Sequence, residues 1–114
     1  MITFHEYEWE VNIASFYPDA GIGSLKAIVY GAIGMSGEVG EVTEKIKKVW
    51  RDKDGKFSKE DKEAIVKELG DVLFYVTRIA HELGYGLEEV AQMNVDKFTA
   101  RKEKGTLQGS GDNR

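Results

Sequence analysis

Two short acidic motifs contain the residues best suited to chemistry in this sequence. Glu38 and Glu41 are three residues apart, and the same spacing separates Glu68 from Asp71. On a helix, residues three apart lie on one face, one turn from each other. Carboxylates brought together repel by several kcal/mol per pair at an effective dielectric constant of about 20, so the group needs a cation. Carboxylate oxygens favour hard cations, which predicts a site for Mg²⁺ or Mn²⁺.

Periodic apolar residues place both motifs on long helices. Apolar side chains recur at steps of three and four from Ala32 to Val49 and again from Ile65 to Leu83. Such steps are typical of helices and exclude strands. The acidic motifs lie roughly 100° from the centre of each apolar seam, at its shoulder. If the two helices pack antiparallel across the polar turn between them, all four carboxylates converge.

The remaining segments complete an all-α, four-helix-type subunit. Thr3 with Glu6 and Ser58 with Asp61 form capping-box patterns at two helix starts. We predict one domain over 1–104 and a Gly-rich, non-helical tail over 105–114. The predicted helices cover about 3–16, 24–51, 59–83 and 87–103.

Glycines inside the first long helix require a separate explanation, because each costs roughly 1 kcal/mol relative to Ala. Gly34 points in nearly the same direction as Glu38, so we interpret its missing side chain as room for a ligand. For Gly37 and Gly40 we favour close packing between helices. The competing interpretation of the acidic motifs is a solvated helix face with no ion.

Composition excludes several classes of protein. The 114 residues carry a formal net charge of −4 and no Cys, which argues against broad binding to nucleic acid or anionic membranes and excludes a disulfide scaffold. The longest apolar-rich stretch, 27–35, is too short to span a bilayer. The N-terminus has no signal-peptide pattern, so a cytoplasmic location is expected.

Several blocks resemble one family. The run 34–42, the lysines at 47 and 48, the block 67–76 and the run 94–101 are similar to the MazG-like branch of the all-α nucleoside triphosphate pyrophosphatase superfamily. Its signature is Glu-x-x-Glu, a spacer and Glu-x-x-Asp. The resemblance implies a helical subunit that completes its core by forming a dimer or tetramer.

The same resemblance implies an activity and its residues. The expected reaction is Mg²⁺-dependent hydrolysis of a nucleoside triphosphate between its α and β phosphates, which gives a monophosphate and pyrophosphate. The implied metal ligands and catalytic residues are Glu38, Glu41, Glu68 and Asp71. The implied phosphate-binding residues are Asn94, Lys97 and Arg101. Among the carboxylates we assign the general base to Glu38.

Contacts to the base are less constrained by the sequence. Trp9 and Asn12 are three residues apart on the first helix and could read a base, although packing is the favoured interpretation of Trp9. Tyr75, one turn after Asp71, could stack on a base or simply pack. Lys45 and Lys48 could touch phosphate, but we favour pairing with the glutamates of the first motif.

Two other classes of function compete with this prediction. A sister enzyme would act on phosphoribosyl-ATP or a modified nucleotide. A non-catalytic module would bind nucleotide or metal and dimerise without turnover. In a purely structural bundle, the acidic shoulder would only be solvated, and Glu38→Gln or Asp71→Asn would be neutral or stabilising.

Overall fold

A computed structural model describes residues 1–105, and four helices are the regular structure in that range. They are α1 (Phe4–Ile13), α2 (Leu25–Asp52), α3 (Lys59–Glu82) and α4 (Leu87–Lys104). The predicted all-α fold with two long helices is confirmed. The first helix ends three residues earlier than the predicted 3–16. The predicted tail lies, apart from Gly105, outside the described residues.

Local capping signals set the helix starts. The Thr3 hydroxyl accepts the Glu6 amide at 3.1 Å, and the Glu6 carboxylate accepts the Thr3 amide at 3.2 Å. Ser58 and Asp61 make the same reciprocal pair at 3.0 Å in both directions. Both predicted capping boxes are therefore confirmed, and each satisfies two backbone N–H groups that the helix leaves without partners.

Helices α2 and α3 pack antiparallel, as predicted. Beside the turn, Lys53 Nζ lies 2.7 Å from Asp61 Oδ1. Further along, Lys45 Nζ lies 3.6 Å from Glu68 Oε1. At the far end Gly31 faces Ile79. Residue numbers on α3 thus decrease as those on α2 increase, as expected of antiparallel helices. The acidic motifs lie near the middle of each helix and therefore face each other.

The face that α2 turns toward α3 differs from the predicted seam. Its buried residues are Ala27, Gly31 and Val49, and Glu38 lies on the same face. Val39 and Ile46, both in the predicted seam, are 47% and 41% exposed. The predicted seam is therefore only partly buried within the single subunit, because α2 is rotated by about 70° at 100° per residue.

Glycine contacts explain this rotation. A Cβ on Gly34 would lie within 2.9 Å of three Tyr75 ring atoms, and one on Gly31 would lie 2.9 Å from Cγ1 of Ile79. Around Gly37 and Gly40 no atom lies within 4 Å of such a Cβ. Our assignment was therefore reversed: Gly34 serves close packing, while the sites of Gly37 and Gly40 are open.

The connection between α1 and α2 is fixed to the end of α3 by a buried carboxylate. Glu82, which is 7% exposed, accepts the amides of Gly21 and Gly23 at 2.8 Å and the hydroxyl of Tyr17. Arg78, 2% exposed, donates to that hydroxyl at 2.8 Å. These bonds satisfy the buried charges and hold the connection in one position.

Candidate metal centre between the long helices

Three carboxylates from the two acidic motifs meet between α2 and α3. One oxygen each from Glu38, Glu68 and Asp71 can be chosen so that all three lie within 4.8 Å of one another. Glu38 and Glu68 are partly buried, and Asp71 is exposed. We name these three residues the carboxylate cluster. Because two packed helices supply it, its geometry is set by the fold and not by a loop.

Glu41, the fourth predicted ligand, lies beside this cluster and not within it. It is exposed, one turn after Glu38 on α2, and it is not part of the three-residue group found among residues 1–105. Its negative charge nevertheless acts on Glu38. A Glu side chain has enough rotamer freedom to reach an ion held by its neighbour one turn away.

Electrostatics show that the cluster suits a cation. The pKa of Glu38 is raised, first by its partial burial and then by the charges of Asp71, Glu68 and Glu41. Burial and like charges both disfavour an ionised carboxylate. A bound cation would reverse this, and three carboxylate oxygens are the donors that Mg²⁺ or Mn²⁺ prefers. The residues therefore fit a hard divalent ion.

Lysines next to the cluster pair differently from our prediction. Lys45 pairs across the helix interface with Glu68, and Lys48 Nζ lies 3.9 Å from Glu44 Oε1. The predicted pairs with Glu38 and Glu41 are not the ones formed here. The reason is again the rotation of α2, which turns Lys45 toward α3.

Two tyrosines stand close to the cluster. Burial raises the pKa of Tyr75, and the negative charges of Glu38 and Asp71 raise it further. Burial also raises the pKa of Tyr7 on α1, with a smaller contribution from Asp71. Tyr75 packs against Gly34, so packing is part of its role. From the sequence Tyr7 was only a member of an apolar stripe, because its approach to Asp71 depends on how α1 crosses α3.

An aromatic hollow of about 310 Å³ adjoins Tyr75. Tyr17 and Tyr30 stack in it with ring centroids 5.2 Å apart and planes inclined by 11°. Sequence reasoning missed this hollow, since it forms between the α1–α2 connection and two helices. Its aromatic residues come from three separate segments of the sequence, so no local signal points to it. The residues around the hollow are Ala14, Phe16, Tyr17, Pro18, Tyr30, Phe74 and Tyr75.

The other proposed base contacts lie on α1. Trp9 is 67% exposed, so the favoured packing interpretation is not realised within one subunit. The side-chain oxygen of Asn12 accepts a hydrogen bond from Arg78 Nη1 at 3.1 Å. Asn12 therefore belongs to the hydrogen-bond network around Glu82. Its side-chain oxygen is already engaged by Arg78.

The predicted phosphate-binding residues all lie on α4. Asn94 and Lys97 line an apolar hollow with Ala80 and Leu83. Ala80 lies about 13 Å along α3 from Asp71, at 1.5 Å per residue. Arg101 is half-buried near the end of α4. Asn94 also lines a second hollow with Leu73, which follows Asp71 by two residues on α3. Phosphate binding by these three residues stays a prediction.

Sequence comparison assigns the chain to a family. The MazG nucleotide pyrophosphohydrolase domain matches residues 32–106. The chain belongs to the MazG nucleotide pyrophosphohydrolase family. It is also similar to the gene 37 protein of Mycobacterium phage L5, with 41% identity over 109 residues that cover 95% of this chain and 96% of the phage protein. No solved structure gives a significant match.

The MazG match covers the acidic motifs and α4 but leaves out α1. The matched region therefore does not include three residues of α1 discussed above, which are Tyr7, Trp9 and Asn12. Within residues 1–105 no helix has both the length and the apolar character needed to cross a membrane.

Proposed function

We propose that this MazG domain is a Mg²⁺-dependent pyrophosphohydrolase that converts a nucleoside or deoxynucleoside triphosphate into the monophosphate and pyrophosphate. The observation that carries the proposal is the convergence of Glu38, Glu68 and Asp71 from two helices. A family match that spans both motifs supports it. Mn²⁺ is expected to substitute for Mg²⁺ because both accept carboxylate oxygens.

The carboxylate cluster, with Glu41 beside it, would hold the metal. A bound divalent ion supplies charge neutralisation at phosphate oxygens and lowers the pKa of bound water. Water adds its oxygen to the α-phosphorus, the bond from that phosphorus to the bridging oxygen breaks, and the pyrophosphate leaves with that oxygen. A proton is released from the water. We assign its acceptance to Glu38, whose pKa is raised by burial and by the charges of Asp71, Glu68 and Glu41.

The helical scaffold provides the positioning that such chemistry requires. Most catalysis of phosphoryl transfer comes from orientation and charge stabilisation. Glu38 is held where α2 comes close to α3, and Gly34, one turn before it, packs on Tyr75. The ligands therefore start close to the arrangement that an ion needs, at little entropic cost on binding.

We further propose that the subunit forms a homodimer or a dimer of dimers. Large apolar side chains on both long helices, and at the end of α3, are exposed: Val39, Ile46, Trp50, Leu69 and Leu83. The single subunit does not bury them, and exposed apolar residues in this number favour an interface with a second copy. The proposed phosphate contacts from Asn94, Lys97 and Arg101 then depend on how the assembled subunits meet the substrate.

The test is product analysis with matched variants. Purified protein is incubated with canonical and modified nucleoside triphosphates, phosphoribosyl-ATP included, with and without Mg²⁺, and products are resolved by ion exchange. We expect monophosphate and pyrophosphate only with metal, loss of turnover in Glu38→Gln and Asp71→Asn, and retained turnover in Glu63→Gln, an exposed α3 control. Diphosphate and phosphate as products, or unchanged turnover in both site variants, would refute the assignment.

The two alternative functions, a sister enzyme and a binding module, predict different outcomes in the same assay. Turnover of phosphoribosyl-ATP or a modified nucleotide alone would indicate the sister activity. Metal-dependent nucleotide binding without any product would indicate a binding module. Three residues are candidates for base contacts: Trp9, Asn12 and Tyr75. The ranking of substrates in Trp9→Ala, Asn12→Ala and Tyr75→Leu would show which of them contacts the base.

A further inference from the structure

We propose that Lys45 is a built-in counter-cation of the carboxylate cluster. Lys45 neutralises Glu68 in the metal-free protein, and this ion pair breaks when a divalent ion binds. The inference rests on the metal site proposed above. It adds a residue that belongs to neither acidic motif and that sets the affinity of the site for its ion.

The geometry that supports this role crosses the helix interface. Lys45 Nζ lies 3.6 Å from Glu68 Oε1, with side chains 38% and 19% exposed. Two nearby lysines are engaged elsewhere, since Lys48 is 3.9 Å from Glu44 and Lys53 is 2.7 Å from Asp61. Lys45 thus places a positive charge against one of the three carboxylates that an ion would share.

A divalent ion and the Lys45 ammonium cannot both hold Glu68 without mutual repulsion. The ammonium sits on a flexible four-carbon stem and can move at small cost. A hollow of about 330 Å³ is lined by Lys45 together with Asp52 and Asp61, on the side of Lys45 toward the turn. This space can receive the Lys45 head group when Glu68 turns to an ion.

Two effects of opposite sign follow for Lys45→Met. Without metal, the variant lacks a positive charge that offsets the repulsion among the carboxylates, so its melting temperature falls below that of the wild type. With metal, the ion no longer competes with an ammonium, so affinity rises. For partly exposed charges facing a doubly charged ion, we expect the dissociation constant to fall by about three- to tenfold. This effect shrinks at high salt, where the charges are screened.

The control is a lysine two positions away. Lys47 Nζ lies 2.9 Å from Glu44 Oε2, and its side chain is 49% exposed. It is on the same helix, carries the same charge and makes an ion pair outside the cluster. Lys47→Met should therefore leave metal affinity within twofold of the wild type. Lys45→Arg retains the charge and should bind metal like the wild type.

The experiment measures Mn²⁺ binding by electron paramagnetic resonance, without nucleotide, for the wild type and the three variants. Tighter binding in Lys45→Met alone, joined to a lower melting temperature without metal, is the expected result. Equal or weaker binding in Lys45→Met, in a protein whose wild type binds Mn²⁺, would overturn this inference and leave the proposed function standing. Absence of Mn²⁺ binding in the wild type would overturn both.

Discussion

Gly34→Ala isolates the contact that lets α2 approach α3. A Cβ at this position would meet Cδ1 of Tyr75 at 2.9 Å and two further ring atoms at shorter range. The ring packs edge-on against Phe74, with centroids 5.3 Å apart, so relieving the contact requires the ring or the helix to shift. Overpacking of this kind costs about 1–3 kcal/mol.

Helix propensity acts in the opposite direction and must be subtracted. Replacing Gly by Ala inside a helix gains up to about 1 kcal/mol. Gly37→Ala is the matched control, since it lies on the same helix with no atom within 4 Å of the added Cβ. It should be stabilising by about 0.5–1 kcal/mol. The difference between the two variants removes the propensity contribution and should equal the overpacking cost of about 1–3 kcal/mol.

The assay is equilibrium urea unfolding at one fixed protein concentration, because association adds to apparent stability. Tyr75→Leu is the second mutation of a double-mutant cycle. In the Tyr75→Leu background, the destabilisation caused by Gly34→Ala should largely disappear. If Gly34→Ala is as stable as Gly37→Ala, or if its cost persists without the Tyr75 ring, the close approach of α2 to α3 is not what this contact controls.

Three further changes test other parts of the molecule. The raised pKa of Glu38 means that its contribution to stability is lost as pH rises, so Glu38→Gln should stabilise the metal-free protein at pH 7. That gain should vanish in unfolding curves recorded well below the ordinary pKa of Glu. The pKa of Glu82 is lowered, because the bonds from Tyr17, Gly21 and Gly23 and the charge of Arg78 outweigh the effect of burial. Glu82→Gln should therefore cost about 3 kcal/mol or more at neutral pH, with a smaller cost in acid, where the wild type loses this stabilisation. A cost independent of pH would contradict the assigned charge state. Leu69→Lys should shift the mass measured by light scattering from dimer to monomer, whereas exposed Lys62→Glu should leave it unchanged.

Helix positions could be predicted from the sequence because their signals are local. The capping boxes at Thr3 and Ser58 need only residues within one turn. The steps of three and four along α2 and α3 need only the period of a helix. These features fixed the class of fold and placed the two acidic motifs opposite each other.

The rotation of α2 could not be predicted, because the residues that decide it carry no hydrophobic signal. Gly31 and Gly34 contribute nothing to an apolar pattern, yet they let two helices approach. Val39 and Ile46 dominate the pattern, yet they lie on the exposed side. The partners of Lys45 followed from this rotation, and for that reason its contact with Glu68 was missed.

The network around Glu82 and the aromatic hollow were missed for a different reason. Glu82 accepts from Gly21, Gly23 and Tyr17, about sixty residues away in sequence. Such pairings depend on how the α1–α2 connection lies on α3. Local propensity contains no information about that placement.

The position of the carboxylate cluster along its helices has a consequence for the turn between them. Glu38 is about 22 Å along α2 from Lys53, and Glu68 is about 15 Å along α3 from Ser58, at 1.5 Å per residue. Doubling the length of a flexible connection costs only about 0.6 kcal/mol in closure entropy. The turn is thus a place where residues, fluorophores or an affinity tag can be inserted while the site two or more turns away keeps its shape.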